Sequence, residues 1–223
     1  MLHFFAKFKL LFAVLAVLSV FILWAIYSLM KPEVRLPVYQ PAEVNFELVD
    51  SSIQHVKRYH KIDDFKLLNQ NGDTITQADY AGRIYIADFF FTTCPSICPK
   101  MTANMLVLQH KLADQKDVLL LSHTVTPEID SVAVLKAYAT KHGVDENRWN
   151  LVTGSKKEIY RLARKSYLAA KTDGDGGLLD MIHTENFVLV DKERRIRGFY
   201  DGTKPEEVDK ILADIKILRQ EYP

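Results

Sequence analysis

The stretch that decides the fold is residues 84–99, which read Ile-Tyr-Ile-Ala-Asp-Phe-Phe-Phe-Thr-Thr-Cys-Pro-Ser-Ile-Cys-Pro. Its first half, Ile84 to Phe91, is almost continuously apolar. Such a run is typical of a strand that is buried on both faces, in the parallel part of a sheet that helices cover from both sides. We therefore predict a buried central strand, followed at once by a loop that carries two cysteines.

The segments around this strand alternate between strand and helix patterns. Asn71-Gly72 lies between short apolar runs, which is a strong signal for a β-hairpin ahead of the central strand. Downstream, some segments repeat apolar residues at helical spacing, and others are short apolar runs. These patterns predict one helix that begins at Pro99, further helices over 131–142, 156–167 and 205–219, and strands over 118–125, 151–152, 187–190 and 195–200.

This order of elements predicts the fold class. Alternating strands and helices place parallel strands in the centre of a sheet and helices on both of its faces. The last two strands form a hairpin, which makes the sheet mixed. We predict an α/β, thioredoxin-like domain over residues 61–223, with a central mixed sheet flanked by helices and an N-terminal β-hairpin.

The amino-terminal end predicts a membrane anchor. A short basic segment, residues 1–9, precedes 21 residues without a charge, from Leu10 to Met30. A helix of that length spans roughly 30 Å, the thickness of the hydrocarbon core of a bilayer. A cleaved signal peptide is the alternative, but its apolar region is usually only about 7–15 residues long. We predict one uncleaved transmembrane helix over 10–30, followed by a proline-containing tether over 31–60.

The charges that flank this helix predict its orientation. Lys7, Lys9 and the terminal amine precede the apolar run, and Lys31 and Arg35 follow it. The positive-inside rule then favours a cytoplasmic amino terminus. We expect a single-pass protein of the cytoplasmic (inner) membrane whose soluble domain lies on the extracytoplasmic, periplasmic side. A close pair of cysteines in that compartment can exist as a disulfide.

The charge balance argues against a nucleic-acid partner. The chain carries 29 basic and 28 acidic residues, and without residues 1–30 its net charge is −1. A nucleic-acid footprint requires a basic stripe or a clear positive excess. The chain has 2 cysteines, too few for a disulfide scaffold. We therefore expect the cysteines to carry chemistry.

The cysteine loop suits two kinds of chemistry. Cys94 and Cys98 each precede a proline, which disfavours helical geometry at both and predicts a loop between them. A thiol at a helix amino terminus feels a partial positive charge, so the sequence predicts that the thiolate of Cys98 is favoured. Two soft sulfurs on one loop suit either Cu(I) binding or disulfide exchange. Both remain open on this ground alone.

A family resemblance is carried by the cysteine motif. Thr-x-Cys-Pro-x-x-Cys-Pro after an apolar strand, here from Thr92 to Pro99, resembles the signature of the Sco/SenC family of membrane-anchored copper proteins. The likeness runs from about Phe65 to Leu218. It includes residues 126–130, Thr-Pro-Glu-Ile-Asp, which are similar to the family's Asp-Pro-Glu-x-Asp with Thr126 in place of the first Asp.

The resemblance implies a ligand set and a function. In that family two cysteines and one distant histidine, just before a strand, bind copper; here these are Cys94, Cys98 and His183. The metal would be Cu(I) or Cu(II). The implied role is that of a copper chaperone for the copper A site of cytochrome c oxidase rather than an enzyme. The copper A subunit and a thioredoxin-like reductant are the implied partners. One departure is Ile182, because the family commonly has Asp directly before the histidine; Asp180 lies nearby.

The alternative function is that of a thiol–disulfide oxidoreductase with Cys94 and Cys98 as its redox-active pair. Asp88, six residues before Cys94 in an apolar strand, resembles the buried acid that assists proton transfer in thioredoxins. The other interpretation of Asp88 is a carboxyl at the fringe of the sheet, bonded to nearby hydroxyls. Thioredoxin-like oxidoreductases carry a cis-proline before the strand that follows His183. No proline stands between residues 127 and 205, and three residues rather than two separate the cysteines, so the copper function is favoured.

Three further side chains are candidates for copper ligands by type alone. His123 ends a predicted strand at the same edge of the sheet and serves as a reserve ligand. Met101 and Met105 fit the apolar stripe of a helix. We predict that both methionines belong to the core.

Overall fold

The computed structural model describes residues 8–30, 34–171 and 180–222. The chain divides into two compact units, residues 1–35 and residues 36–223. Residues 1–7 of the predicted basic segment and residues 31–33 of the predicted tether lie outside the described residues.

The first unit contains one long helix, α1 (Lys9–Met30), with 22 residues and a mean hydropathy of 2.7. Apart from its first residue it is the uncharged run that predicts a transmembrane segment. Its length and composition fit a helix that crosses a bilayer.

The second unit is built on a mixed sheet, as predicted. The described residues form seven strands in the order β2-β1-β5-β4-β3-β6-β7. The central strands β3, β4 and β5 run parallel, and every other neighbouring pair runs antiparallel. The strands are β1 (Lys66–Asn69), β2 (Thr74–Thr76), β3 (Ile84–Phe90), β4 (Val118–Thr124), β5 (Trp149–Thr153), β6 (Asn186–Val190) and β7 (Ile196–Asp201).

Helices cover both faces of this sheet. On the face that bears Ile84 and Ile86 of β3, the apolar residues of α2, α3 and α5 form one core cluster. On the face that bears Tyr85 and Phe89, α4 and the segment after it form the other. The helices are α2 (Cys98–Lys111), α3 (Val132–His142), α4 (Lys156–Arg161), which continues into one π-helical turn (Leu162–Ser166), and α5 (Pro205–Gln220).

The amino-terminal hairpin lies where the sequence predicts it. β1 and β2 pair antiparallel, with Lys66 opposite Thr76. Gly72 in the turn has a φ of +83°, a left-handed conformation that glycine adopts without steric strain. β1 also pairs with β5, so the hairpin extends the central sheet at one edge.

Residues 36–60 differ from the predicted tether, because they belong to the second unit and pack on its core. The Tyr39 amide donates to the carbonyl oxygen of Ile196 at the start of β7 (2.9 Å). Val49 is fully buried in the core. The Arg197 guanidinium binds the carbonyl oxygens of Leu36 (2.7 Å) and Pro37 (2.9 Å). A buried guanidinium needs acceptors for all its N–H groups, and this segment supplies two of them.

Arg197 is the centre of a buried ion-pair network. Its side chain is 1% exposed and donates to Asp191 (3.0 Å), itself 0% exposed, and to Glu221 (2.8 Å). Burial opposes ionisation of Asp191, but hydrogen bonds from Arg195 and Arg197 outweigh it, so the pKa of Asp191 is lowered. The network therefore joins residues 36–37, β7 and the carboxyl end of α5.

This attachment lies at the end of the sheet opposite to the cysteines. Ile196 is paired with Val190 of β6, and Val190 is paired with Tyr85 near the start of β3. The cysteine loop follows Phe90, at the other end of β3. The length of the sheet therefore separates the two places.

Candidate metal centre

The cysteines lie at the carboxyl end of β3, where the chain passes into α2. Both are free thiols, with 8% of Cys94 and 3% of Cys98 exposed. The Cys94 amide donates to the carbonyl oxygen of Phe91 (3.3 Å), which closes a tight turn after the strand. The helix begins at Cys98, one residue before the predicted start, because Ile97 (φ −83°, ψ −39°) already has helical geometry.

The two thiols have opposite electrostatic environments. Burial disfavours the Cys94 thiolate, but hydrogen bonds from Ser96 and Cys98 outweigh it and lower the pKa of Cys94 to about 7. Deeper burial, with the hydrogen bond that its thiol donates to Cys94, raises the pKa of Cys98 to about 12. The prediction that Cys98 is the favoured thiolate is therefore wrong. Desolvation disfavours a buried thiolate, and it is the largest influence on the pKa of Cys98.

The buried carboxylate of Asp130 anchors the start of the cysteine loop. Asp130 is 0% exposed and accepts hydrogen bonds from the Thr92 amide (3.2 Å) and hydroxyl (2.5 Å). The hydroxyls of Thr124 and Thr126 also donate to it. Asp130 ends the Thr-Pro-Glu-Ile-Asp stretch, so this stretch fixes the backbone two residues before Cys94. Thr126 contributes through its hydroxyl at the position where the family has Asp.

Asp88 lies inside the core, on the same face of β3 as the helix that carries Cys98. It is 2% exposed, and within the described residues its Oδ1 atom has no hydrogen-bond partner. Burial raises its pKa to about 7, against a hydrogen bond with the Ser122 hydroxyl. The carboxyl is therefore a buried acid, as the resemblance to thioredoxins suggests. Its hydrogen bond with the Ser122 hydroxyl also agrees with the other interpretation, in which nearby hydroxyls bind the carboxyl.

His183 lies on an extended segment just before β6, as predicted. Residues 181–185 alternate between exposed and buried, so Met181, His183 and Glu185 point to solvent while Ile182 and Thr184 point to the core. The His183 ring packs edge-on against Phe91, with ring centroids 6.0 Å apart at 84°. Phe91 begins the cysteine loop, so the structure places the histidine beside that loop. Among the described residues, no three His, Cys, Asp or Glu side chains form a closed metal-binding group.

Two anchors hold the histidine segment. Upstream of His183, both carboxylate oxygens of Asp180 accept from Arg164 at 2.7 Å, with 9% and 7% of the two side chains exposed. Downstream, the Thr184 hydroxyl donates to the carbonyl oxygen of Ala169 (2.6 Å). Ile182 is 4% exposed and packs in the core, so the residue before the histidine gives packing in place of a carboxylate.

His123 is not part of the site. It is 0% exposed, and its ring stacks on Phe89 with centroids 4.8 Å apart. Burial lowers the pKa of His123 to about 4, so the ring is neutral at physiological pH. The reserve ligand is excluded because alternation along β4 turns His123 towards the opposite face of the sheet from Cys98. Met101 and Met105 are core residues, as predicted.

Two polar side chains near the site carry no signal in the sequence. Arg164 and Tyr160 lie in a segment that reads as an ordinary amphipathic helix. Their partners are backbone carbonyls 7 and 35 residues away and a carboxylate 16 residues away. Only the folded chain brings them together.

Comparison with known proteins identifies the family. Residues 53–219 match the family model described as SCO1/SenC. The chain belongs to the SCO1/SenC family. Among curated Sco relatives, the SCO1 protein homolog of Bacillus subtilis is 35% identical over 161 residues, which cover 70% of this chain and 82% of that protein.

Solved Sco structures show the same fold. BsSco, described as a Sco family member with a disulfide switch, is 33% identical with a TM-score of 0.61, covering 71% of this chain and 93% of its own. Copper-bound yeast Sco1 is 26% identical with a TM-score of 0.54, covering 71% and 90%. These relatives confirm the predicted thioredoxin-like α/β fold. BsSco is a member of the Sco family of cytochrome c oxidase assembly proteins.

Proposed function

We propose that this chain is a copper chaperone that holds copper on Cys94, Cys98 and His183 and delivers it to the copper A site of cytochrome c oxidase. One observation carries the proposal. Two free, hydrogen-bonded thiols stand on the loop that Phe91 begins, and the His183 ring packs on Phe91. Copper bound to yeast Sco1 and the assembly role given for the Sco family support it.

The donor set fits copper as cargo. Two thiolates and one imidazole satisfy low-coordinate Cu(I), whereas Cu(II) requires a further donor. His183 is exposed and touches Phe91 edge-on, and an exposed side chain changes readily between rotamers. Its backbone, by contrast, is anchored on both sides. The chain therefore presents two fixed sulfurs and one adjustable nitrogen.

A second candidate function is thiol–disulfide exchange, and the contact between the two thiols favours it. The Cys98 thiol donates a hydrogen bond to the Cys94 sulfur, so the sulfurs are neighbours. Oxidation to a Cys94–Cys98 disulfide would release two electrons and two protons, which reduce the disulfide of a client protein to two thiols. A thioredoxin-like reductant would then restore the pair. The disulfide would also remove both thiolates and release copper.

Changing His183 to Ala separates the two functions in cells. Disulfide exchange needs no imidazole, so the variant is expected to keep disulfide-reducing activity. A copper carrier loses one of its three donors, so the cells are expected to lose assembled oxidase. The measurement is oxidase activity and copper content of the membranes.

The matched control is His110→Ala, because His110 is an exposed histidine at the far end of α2. It is expected to leave oxidase assembly unchanged. Fully assembled, copper-replete oxidase in cells that carry only His183→Ala would contradict the copper function and favour the exchange function.

The proposed location is the extracytoplasmic face of the cytoplasmic membrane, with α1 as a single anchor. The pKa of Cys94 is about 7, so at about pH 7.5 a large share of this thiol is ionised and reactive. A membrane-impermeant maleimide is expected to label reduced Cys94 in intact cells, or in spheroplasts where an outer membrane intervenes. Labelling that appears only after lysis would place the domain in the cytoplasm.

A further inference from the structure

The hydroxyl of Tyr160, on α4, joins the histidine segment to the end of β4. Tyr160 is 2% exposed. Its hydroxyl oxygen lies 3.0 Å from the carbonyl oxygen of Val125 and 3.0 Å from that of Asp180. The hydroxyl proton is therefore shared between these two acceptors. The same oxygen accepts the amide proton of Ile182 at 3.4 Å. One buried hydroxyl therefore contacts both the chain that leads into His183 and the chain that leaves β4.

The ion pair between Arg164 and Asp180 reinforces this junction. Arg164 binds the Asp180 carboxylate through two nitrogens, and its Nε donates to the carbonyl oxygen of Lys171 (2.8 Å). The guanidinium also lies over the Tyr160 ring, 5.3 Å from its centroid. The planar fork of arginine fixes the orientation of a carboxylate as well as its position. Asp180 is therefore held at its side chain by Arg164 and at its carbonyl by Tyr160.

The other side of the junction leads to the cysteines. The Val125 amide donates to the carbonyl oxygen of Phe90 at the end of β3 (2.8 Å). The adjacent Thr126 hydroxyl donates to Asp130, which also binds Thr92 in the cysteine loop. These hydrogen bonds, joined by the peptide bond between Val125 and Thr126, thus link Ile182, through Tyr160, to the residue two positions before Cys94.

We propose that the Tyr160 hydroxyl is a positioning group for the metal centre, which sets where His183 stands relative to Cys94 and Cys98. This inference rests on the proposed function, since it assumes that His183 is a copper ligand. Cu(I) tolerates a two-sulfur site, but Cu(II) depends on the imidazole. Loss of the hydroxyl therefore weakens Cu(II) binding more than Cu(I) binding. Outer groups that orient a metal ligand typically contribute about 10–100-fold in affinity.

The test compares Tyr160→Phe with Tyr167→Phe in the full chain, reduced, purified in detergent and free of metal. Both variants remove one buried hydroxyl and keep the ring. The Tyr167 hydroxyl bonds that of Tyr85 (3.2 Å), away from the histidine segment. Each protein is titrated with Cu(II) and with Cu(I), and the sulfur-to-copper charge-transfer band is recorded. His183→Ala serves as the reference for a missing nitrogen donor.

The expected result is a loss of about tenfold in Cu(II) affinity and a shifted charge-transfer band for Tyr160→Phe. Tyr167→Phe is expected to keep the wild-type band and affinity. Hydrogen exchange on the metal-free proteins supplies a second measurement, because the Ile182 amide loses its acceptor in Tyr160→Phe alone and is expected to exchange faster. Should Tyr160→Phe not fold, Arg164→Lys, which loses the two-nitrogen contact, is expected to shift the band in the same direction.

The outcomes separate this inference from the proposed function. Absence of the charge-transfer band from the wild type contradicts the proposed function and the inference with it. Equal copper affinity in the wild type and His183→Ala does the same. A third outcome is a charge-transfer band of the wild type that requires His183 and yet is identical in Tyr160→Phe and Tyr167→Phe. That result would leave the proposed function standing and overturn the positioning role of Tyr160. Equal weakening of Cu(I) and Cu(II) by Tyr160→Phe, with an unshifted band, also overturns it.

Discussion

Replacing Cys94 or Cys98 with serine is expected to remove most of the copper affinity of the reduced chain. The wild type should bind one copper per chain, because one loop supplies two sulfurs and one neighbouring segment supplies one nitrogen. A serine hydroxyl is a hard donor and does not replace a soft thiolate for Cu(I). Loss of an outer partner alone costs about 10–100-fold, so loss of a ligand should exceed about a hundredfold.

Titration against a competing chelator measures this loss, and the charge-transfer band of the Cu(II) form shows whether sulfur is bound. Thr93→Ala is the control, since Thr93 is exposed and directly precedes Cys94. Oxidation of the pair beforehand is expected to abolish binding, because a disulfide offers no thiolate. His183→Ala should retain Cu(I) weakly and Cu(II) poorly. Wild-type Cu(II) affinity in a Cys94→Ser chain would refute the assigned ligand set.

The second large effect concerns stability, and it centres on Arg197. Changing Arg197 to Ala leaves the buried carboxylate of Asp191 with fewer partners and releases Leu36 and Pro37. Removing one partner of a buried ion pair typically costs about 3–5 kcal/mol. The free energy of unfolding should fall by that amount, as measured by urea denaturation in detergent with near-ultraviolet circular dichroism.

Arg219→Ala is the matched control, because the pair of Arg219 with Asp117 is 44% and 29% exposed. Exposed pairs contribute about 0–1 kcal/mol, so this variant should unfold like the wild type. The pH dependence gives a further check. Because folding lowers the pKa of Asp191, its contribution is present above the unfolded value of about 3.9 and disappears as pH falls through the folded pKa. The gap between wild type and Arg197→Ala should therefore shrink below about pH 4. Equal stabilities at pH 7 would contradict this role.

The sequence predicts the sheet and its helices well, because their signals are local. The apolar run of β3 marks a strand that is buried on both faces, and the apolar residues after Pro205 recur at the helical period. Asn71-Gly72 is a hairpin signal. The segment from residue 36 to 60 carries no such period. Its packing depends on Arg197 and Ile196, which lie far along the chain, so a proline-containing stretch reads as a tether until the fold is known.

The site divides in the same way between local and distant causes. The cysteine motif is visible as a pattern, and His183 follows from the resemblance that the motif carries. The pKa values of the two thiols cannot be read from the sequence. The position of Cys98 at the helix start predicts that it is the thiolate, whereas its deeper burial makes Cys94 the more acidic thiol. Burial depth is a property of the packed core. Tyr160 and Arg164 are invisible for the related reason that their partners are backbone carbonyls and one carboxylate that only the folded chain brings to them.

The attachment of residues 36–37 has a mechanical consequence for the second unit. A pull on the chain at Leu36 is transmitted through Arg197 into β7 and the end of α5, by way of Asp191 and Glu221. That load path stays at one end of the sheet, and the cysteine loop lies at the other. A force applied at Leu36 is therefore carried by the ion-pair network and does not bend the turn that begins at Phe91. The arrangement of the two thiols is in this way independent of a load on the segment that enters the unit.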